Sequence, residues 1–130
     1  MLDVQTVTVS IDRDWRAVYE FCRAPRNFAQ WASGLGGLEG RDGAWIARTP
    51  EGVAMPVRFA EANAHGVLDH WLSPPGGAEI YLPLRVIANQ DGCTVAFTLL
   101  RQPDMTDERF AADAAWVARD LAKLKEMMEA

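Results

Sequence analysis

The residues best suited to chemistry in this 130-residue chain are Asp69 and His70, adjacent in an extended-looking stretch from Gly66 to Ser73. Side chains alternate along a strand, so His70 shares a side with Leu68 and Leu72, and Asp69 shares the other with Val67 and Trp71. If the leucine side is inward, the imidazole projects into the interior and the carboxylate away from it. An inward imidazole with an ordinary pKa near 6.5 can orient a carbonyl or phenol, or move a proton. A histidine held by a backbone partner is the competing reading. Tyr81 and Arg85 are four apart on a later strand and share the face opposite Ile80, Leu82 and Leu84. Regular parity makes them solvent-facing, and a bulge near Pro83 is what would turn either inward.

Other chemistries lack their residues. GLGGLEG has neither the Lys nor the Ser/Thr of a phosphate-binding loop, and Glu39 stands where a third dinucleotide-binding glycine belongs. His65, His70, Cys22 and Cys93 have no metal-ligand spacing, and Ser10, Ser33 and Ser73 are in no nucleophile elbow. No metal and no cofactor is implied. Thirteen basic against eighteen acidic residues give a net charge of −5, and Lys occurs only at Lys123 and Lys125. That balance argues against nucleic acid and against an anionic membrane surface. No 18-residue uncharged apolar run exists, and MLDVQTVTVS is no signal peptide, so membrane insertion and secretion are disfavoured and a cytoplasmic protein is expected. Cys22 and Cys93 then read as small buried hydrophobes, not as a disulfide.

The elements that must position these groups follow from periodicity. Val7, Val9 and Ile11 alternate with Thr and Ser, the pattern of a half-buried strand over Asp3–Ile11. At Asp12 the period changes: Trp15, Val18, Tyr19 and Cys22 recur at helical spacing behind a cap at Asp12 or Asp14. Ala24-Pro25 ends that helix and starts a second short one through Asn27, Phe28 and Trp31. A hairpin turn at Arg41-Asp42-Gly43 precedes Ala44–Ala47. Extended segments then run over Val53–Glu61, Gly66–Ser73, Ala78–Ala88 and Cys93–Arg101, joined by turn chemistry such as Pro74-Pro75-Gly76-Gly77. From about Asp104 to Glu129 no Gly or Pro interrupts a helix whose Phe110, Ala114, Val117, Leu121, Leu124 and Met128 form one stripe. The whole is one α+β domain, 1–130, with a curved antiparallel sheet of about six to seven strands around a long C-terminal helix and two short helices after the first strand.

The stretches SIDRDWRAVYEFCRAPRNFAQWASGL, GVLDHWLSPPGGAEIYLPLRV and FTLLRQPDMTDERFAADAAWVARDLAKLK resemble the START/Bet v 1-like (SRPBCC) superfamily, in particular its polyketide cyclase/dehydrase-like bacterial branch. Departures at Arg13-Asp14, Ala24 and Ala29, where members often carry Pro, Asp and Pro, touch helix boundaries more than the fold. The resemblance implies a helix-grip fold, and that fold serves lipid carriers, hormone receptors, cyclases and chaperone activators alike. The expected activity is binding of a hydrophobic or aromatic small molecule between the sheet and the C-terminal helix. Trp31, Phe59, His70, Leu82, Leu84, Phe97, Val117 and Leu121 are the expected lining, with Trp31 as gate. A solid core at the same place is the alternative. Two further alternatives are a cyclase or dehydratase using His70 as acid/base, and a protein-interaction module. Trp116, off the helix stripe, is left to cover the cavity rim, pack on a short helix or join a homodimer interface.

Overall fold

The structure, a computed structural model, describes residues 1–33, 38–41, 44–49 and 51–130. The glycine run Gly34–Gly37 and the turn residues Asp42 and Gly43 lie outside the described residues. The alternating N-terminal segment forms β1 (Val4–Ile11). Asp14 caps α1 (Trp15–Arg23), its carboxylate accepting from the Arg16 N–H at 3.1 Å. Ala24 is extended because Pro25 follows it, and Pro25 opens α2 (Pro25–Trp31), which buries Phe28 and Trp31.

Eight strands are described: β1, β2 (Glu39–Arg41), β3 (Ala44–Arg48), β4 (Ala54–Phe59), β5 (His70–Leu72), β6 (Ile80–Leu82), β7 (Leu84–Asn89) and β8 (Gly92–Leu100). They make an antiparallel sheet of order β1-β8-β7 and another of order β2-β3-β4-β5-β6. The expected single strand over Ala78–Ala88 is divided at Pro83, which has no N–H to give to a ladder. Upstream of it β6 pairs with β5; downstream β7 pairs with β8. The expected strand over Gly66–Ser73 is likewise regular only at His70–Leu72. Its first half joins the two sheets: Val86 N–H donates to the Gly66 carbonyl and Leu68 N–H to the Leu84 carbonyl, both at 2.8 Å. With β6 and β7 taken as one broken strand, the result is a seven-stranded curved sheet.

Thr106 caps α3 (Asp107–Glu129), accepting from Arg109 N–H at 3.1 Å, with Asp107 and Glu108 in the positive first turn. Asp104 and Met105 fall outside the helix, Asp104 with a left-handed φ of 67°. On the apolar stripe Ala114, Leu121, Leu124 and Met128 are buried, while Phe110 and Val117 are half-buried. Polar ties fix the far end of α3 to the end of β1: Asp12 N–H donates to Glu129 Oε2 at 2.8 Å, and Lys125 Nζ to the Ser10 carbonyl at 2.7 Å. The core between α3, α1, α2 and the sheet gathers Ile11, Val18, Phe28, Leu84, Val95 and Leu124 among others. Both cysteines are buried free thiols. Among the described residues no helix is long and apolar enough to cross a membrane.

Candidate functional site

Asp69, just ahead of β5, and His70, its first residue, point to opposite sides, as strand parity requires, and both are buried. Asp69 lies on the outer side of the joint between the sheets. Its Oδ1 accepts from Leu84 N–H at 3.0 Å and Arg85 Nε at 2.9 Å, and its Oδ2 from Tyr81 Oη at 2.5 Å and Arg85 Nη2 at 2.8 Å. Burial pushes this carboxyl's pKa up, but the bonds from Arg85, Tyr81 and Leu84 outweigh it and hold the group below its ordinary range. The same bond to Asp69 raises the pKa of Arg85 and of Tyr81. Tyr81 and Arg85 thus share the outward face, as expected, with Arg85 exposed and Tyr81 half-buried. What strand parity did not foresee is that both turn onto Asp69. Trp71 stacks on Tyr81 with ring centroids 5.3 Å apart, and the Arg58 guanidinium lies 4.2 Å from the Trp71 ring.

On the inner side, His70 is 2% exposed and ringed by phenyl groups: Phe28 at 5.1 Å, Phe97 at 5.7 Å and Phe59 at 6.0 Å between centroids. Its Nδ1 is 3.2 Å from the Leu68 carbonyl, which can only accept. Nδ1 therefore carries the proton, and Nε2 is the acceptor of the neutral ring. Burial lowers its pKa; the Leu68 carbonyl and the Asp69 charge oppose this, and the value settles at about 4. The imidazole is accordingly neutral at pH 7 and a weak base.

Seven of the eight residues expected to line a cavity lie in or against the apolar core beside His70. Trp31, Leu84, Phe97 and Leu121 belong to the buried core, with Phe59, Leu82 and Val117 packed against it from β4, β6 and α3. Among the described residues these side chains are packed against one another in this conformation, the arrangement named above as the alternative. The reason is Phe28: α2 inserts its ring between Trp31 at 4.9 Å, Phe59 at 5.5 Å and His70 at 5.1 Å. Beside this ring, between α1 and the β4–β5 side, about 10 Å³ is free, lined by Tyr19, Cys22, Phe28, Phe59, Val67 and Leu68 among others. That is the room of a single water molecule. The helical i, i+3 spacing of Phe28 and Trp31 was the available sign that both rings enter the interior together.

One polar cluster escaped the sequence reading. Ser33, just past α2, donates from its N–H to Asp120 Oδ2 at 3.1 Å and from Oγ to Asp120 Oδ1 at 2.7 Å. Trp116 Nε1 donates to Ser33 Oγ. Burial raises the Asp120 pKa against these bonds. Trp116 therefore packs at the end of a short helix, one of its three expected places, and the cluster latches α2 to α3.

No protein-family model and no curated protein matches the chain. Solved structures do match it. One is a START superfamily protein from Mycobacterium smegmatis, at 12% identity, with 97% of each chain covered and a TM-score of 0.66. Another is the Aha1 dimer from Colwellia psychrerythraea, at 13% identity, with 98% of this chain and 97% of that one covered and a TM-score of 0.74. A third is DynU16, a protein of the dynemicin biosynthetic locus, at 19% identity and a TM-score of 0.75; 98% of this chain matches 47% of that one.

Proposed function

We propose that this START/Bet v 1-like fold takes an uncharged hydrophobic or aromatic small molecule into the interior between the curved sheet and α3, with α2 moving to admit it. The observation that carries the reading is His70: a neutral imidazole sealed among three phenyl rings, with Nε2 making no hydrogen bond among the described residues. An apolar interior that holds a neutral imidazole suits a guest that is mostly hydrocarbon and carries little charge. Burying about 300 Å² of such a guest at ~25 cal/mol per Å² contributes ~7 kcal/mol, against ~4 kcal/mol or more for its lost freedom. The difference is ~3 kcal/mol or less before α2 is displaced, so affinities no tighter than millimolar are expected for a guest of this size.

Acid–base catalysis by His70 fits less well. A base with a pKa of about 4 is poorly matched to proton transfer at neutral pH. Binding without turnover is the reading we adopt, in a reducing compartment such as the cytoplasm where Cys22 and Cys93 stay thiols. Tryptophan fluorescence titrated with fatty acids, flavonoids and polycyclic phenols tests it. Saturable quenching by at least one class is the expected result. A folded protein that no member of the panel quenches refutes the proposal.

A further inference from the structure

Trp31 is 1% exposed, and its Nε1 is a buried donor with no partner among the described residues. Buried donors almost always find an acceptor, because leaving one unmade forfeits its bond to water. The small void beside Phe28 does not supply one, since Trp31 is not among the residues that line it. Among the described residues the ring that packs against Trp31 is Phe28, at 4.9 Å between centroids, and Phe28 also packs against Phe59 and His70. A phenyl ring offers no lone pair. Phe28 therefore packs against both the indole that carries the unpaired N–H and the neutral imidazole, 4.9 and 5.1 Å away between ring centroids, without serving either.

We propose that the Trp31 indole N–H is the polar anchor of the interior site, and that Phe28 holds the place of an uncharged aromatic guest bearing an oxygen that accepts the Trp31 bond. This rests on the binding reading above and adds the guest's chemistry to it. The eight expected lining residues include no charged side chain to balance a carboxylate or an ammonium, so a charged guest gives up its hydration without a partner ion. A hydrocarbon of the same shape enters but leaves Trp31 unpaired. Trp31, read from the sequence as a gate, becomes the residue that selects.

The test uses three probes of one ring system: 2-acetylnaphthalene, 2-ethylnaphthalene and 2-naphthoate, titrated at neutral pH into ¹⁵N-labelled protein. The Trp31 indole N–H signal is assigned by its loss in Trp31→Phe. The ketone is expected to bind roughly tenfold tighter than the hydrocarbon and to move the Trp31 N–H downfield. The carboxylate should bind most weakly. Trp31→Phe should remove the preference for ketone while still binding the hydrocarbon, and Phe28→Leu, which shrinks the plug, should tighten both neutral probes. Equal affinities for ketone and hydrocarbon, or a Trp31 N–H that stays put while other signals move, overturn the anchor and leave interior binding standing. If no probe binds the wild type or Phe28→Leu, interior binding fails as well.

Discussion

Replacing Asp69 by alanine removes the carboxylate that Tyr81 of β6 and Leu84 and Arg85 of β7 share at the Pro83 break. The cost follows from who is left behind. Leu84 is fully buried, so its N–H loses its partner out of reach of water, a penalty of ~1–3 kcal/mol. Arg85 has a side chain 47% exposed and Tyr81 is half-buried, so both recover water; their share, discounted for solvent screening, is ~1 kcal/mol. The total is ~2–4 kcal/mol, which at a urea m-value of ~2 kcal/mol per molar moves the midpoint down by ~1–2 M. Asp69→Asn, which keeps one acceptor oxygen, should lose about half as much. The sign with pH is fixed by the direction of the shift. The folded carboxyl titrates below its ordinary 3.8, so its stabilisation is complete above that value and fades as pH falls through the lower folded one. The gap between wild type and Asp69→Asn should therefore be constant from pH 5 to 8 and close below pH 4. An Asp69→Ala midpoint within ~0.3 M of wild type would refute the clamp.

The remaining predictions concern the same joint and the interior it bounds. At Gly66 a Cβ would stand 2.1 Å from the Val86 carbonyl oxygen, at a φ of +72°. Gly66→Ala should accordingly cost ~3 kcal/mol or more in urea unfolding, and a near-neutral effect would mean the two sheets are not joined there. With its pKa lowered to about 4, the His70 ring should show no NMR titration between pH 5.5 and 8. Because that depression favours the neutral form, its contribution to stability is whole above pH 6.5 and erodes as pH falls toward 4. A ring that titrates near 6.5 would place His70 in water. Asp120→Ala removes the acceptor of both Ser33 bonds in the latch between α2 and α3 and should speed amide exchange in α2 selectively, with global stability changed by ~1 kcal/mol or less; unaltered protection of Phe28 and Trp31 amides would show that the latch does not restrain α2.

The elements were legible where one physical rule acts locally. Alternation gave β1, helical spacing with Asp14 as cap gave α1, Pro25 divided α1 from α2, and the apolar stripe gave α3. Parity also put His70 and Asp69 on opposite sides, with His70 inward if the leucine side is, and made Tyr81 and Arg85 solvent-facing. Three things lay beyond it. That Tyr81 and Arg85 close on Asp69 depends on the register Trp71↔Tyr81 and on the turn at Pro83, neither of which periodicity encodes. That Ser33 and Asp120 meet across 87 positions depends on how α2 lies on α3. Whether inward faces enclose a space or meet in contact is a matter of distances between layers, and here Phe28 decides it from an element whose spacing says only that it is amphipathic.

β1 pairs along its whole length with β8, from Val4 with Leu100 to Ile11 with Cys93, and among the described residues β8 is its only strand neighbour. A growing chain must therefore carry VQTVTVSI, uncharged and rich in β-branched residues, without its partner until β8 and then α3 have emerged. At ~5–20 residues per second that wait is on the order of ten seconds. During it the segment is free to find strands on neighbouring chains, since it has neither Lys nor Pro to discourage them. The yield of correctly closed protein should thus be set by the interval between making its first strand and its last, and slowing translation ahead of β8 is expected to lower it.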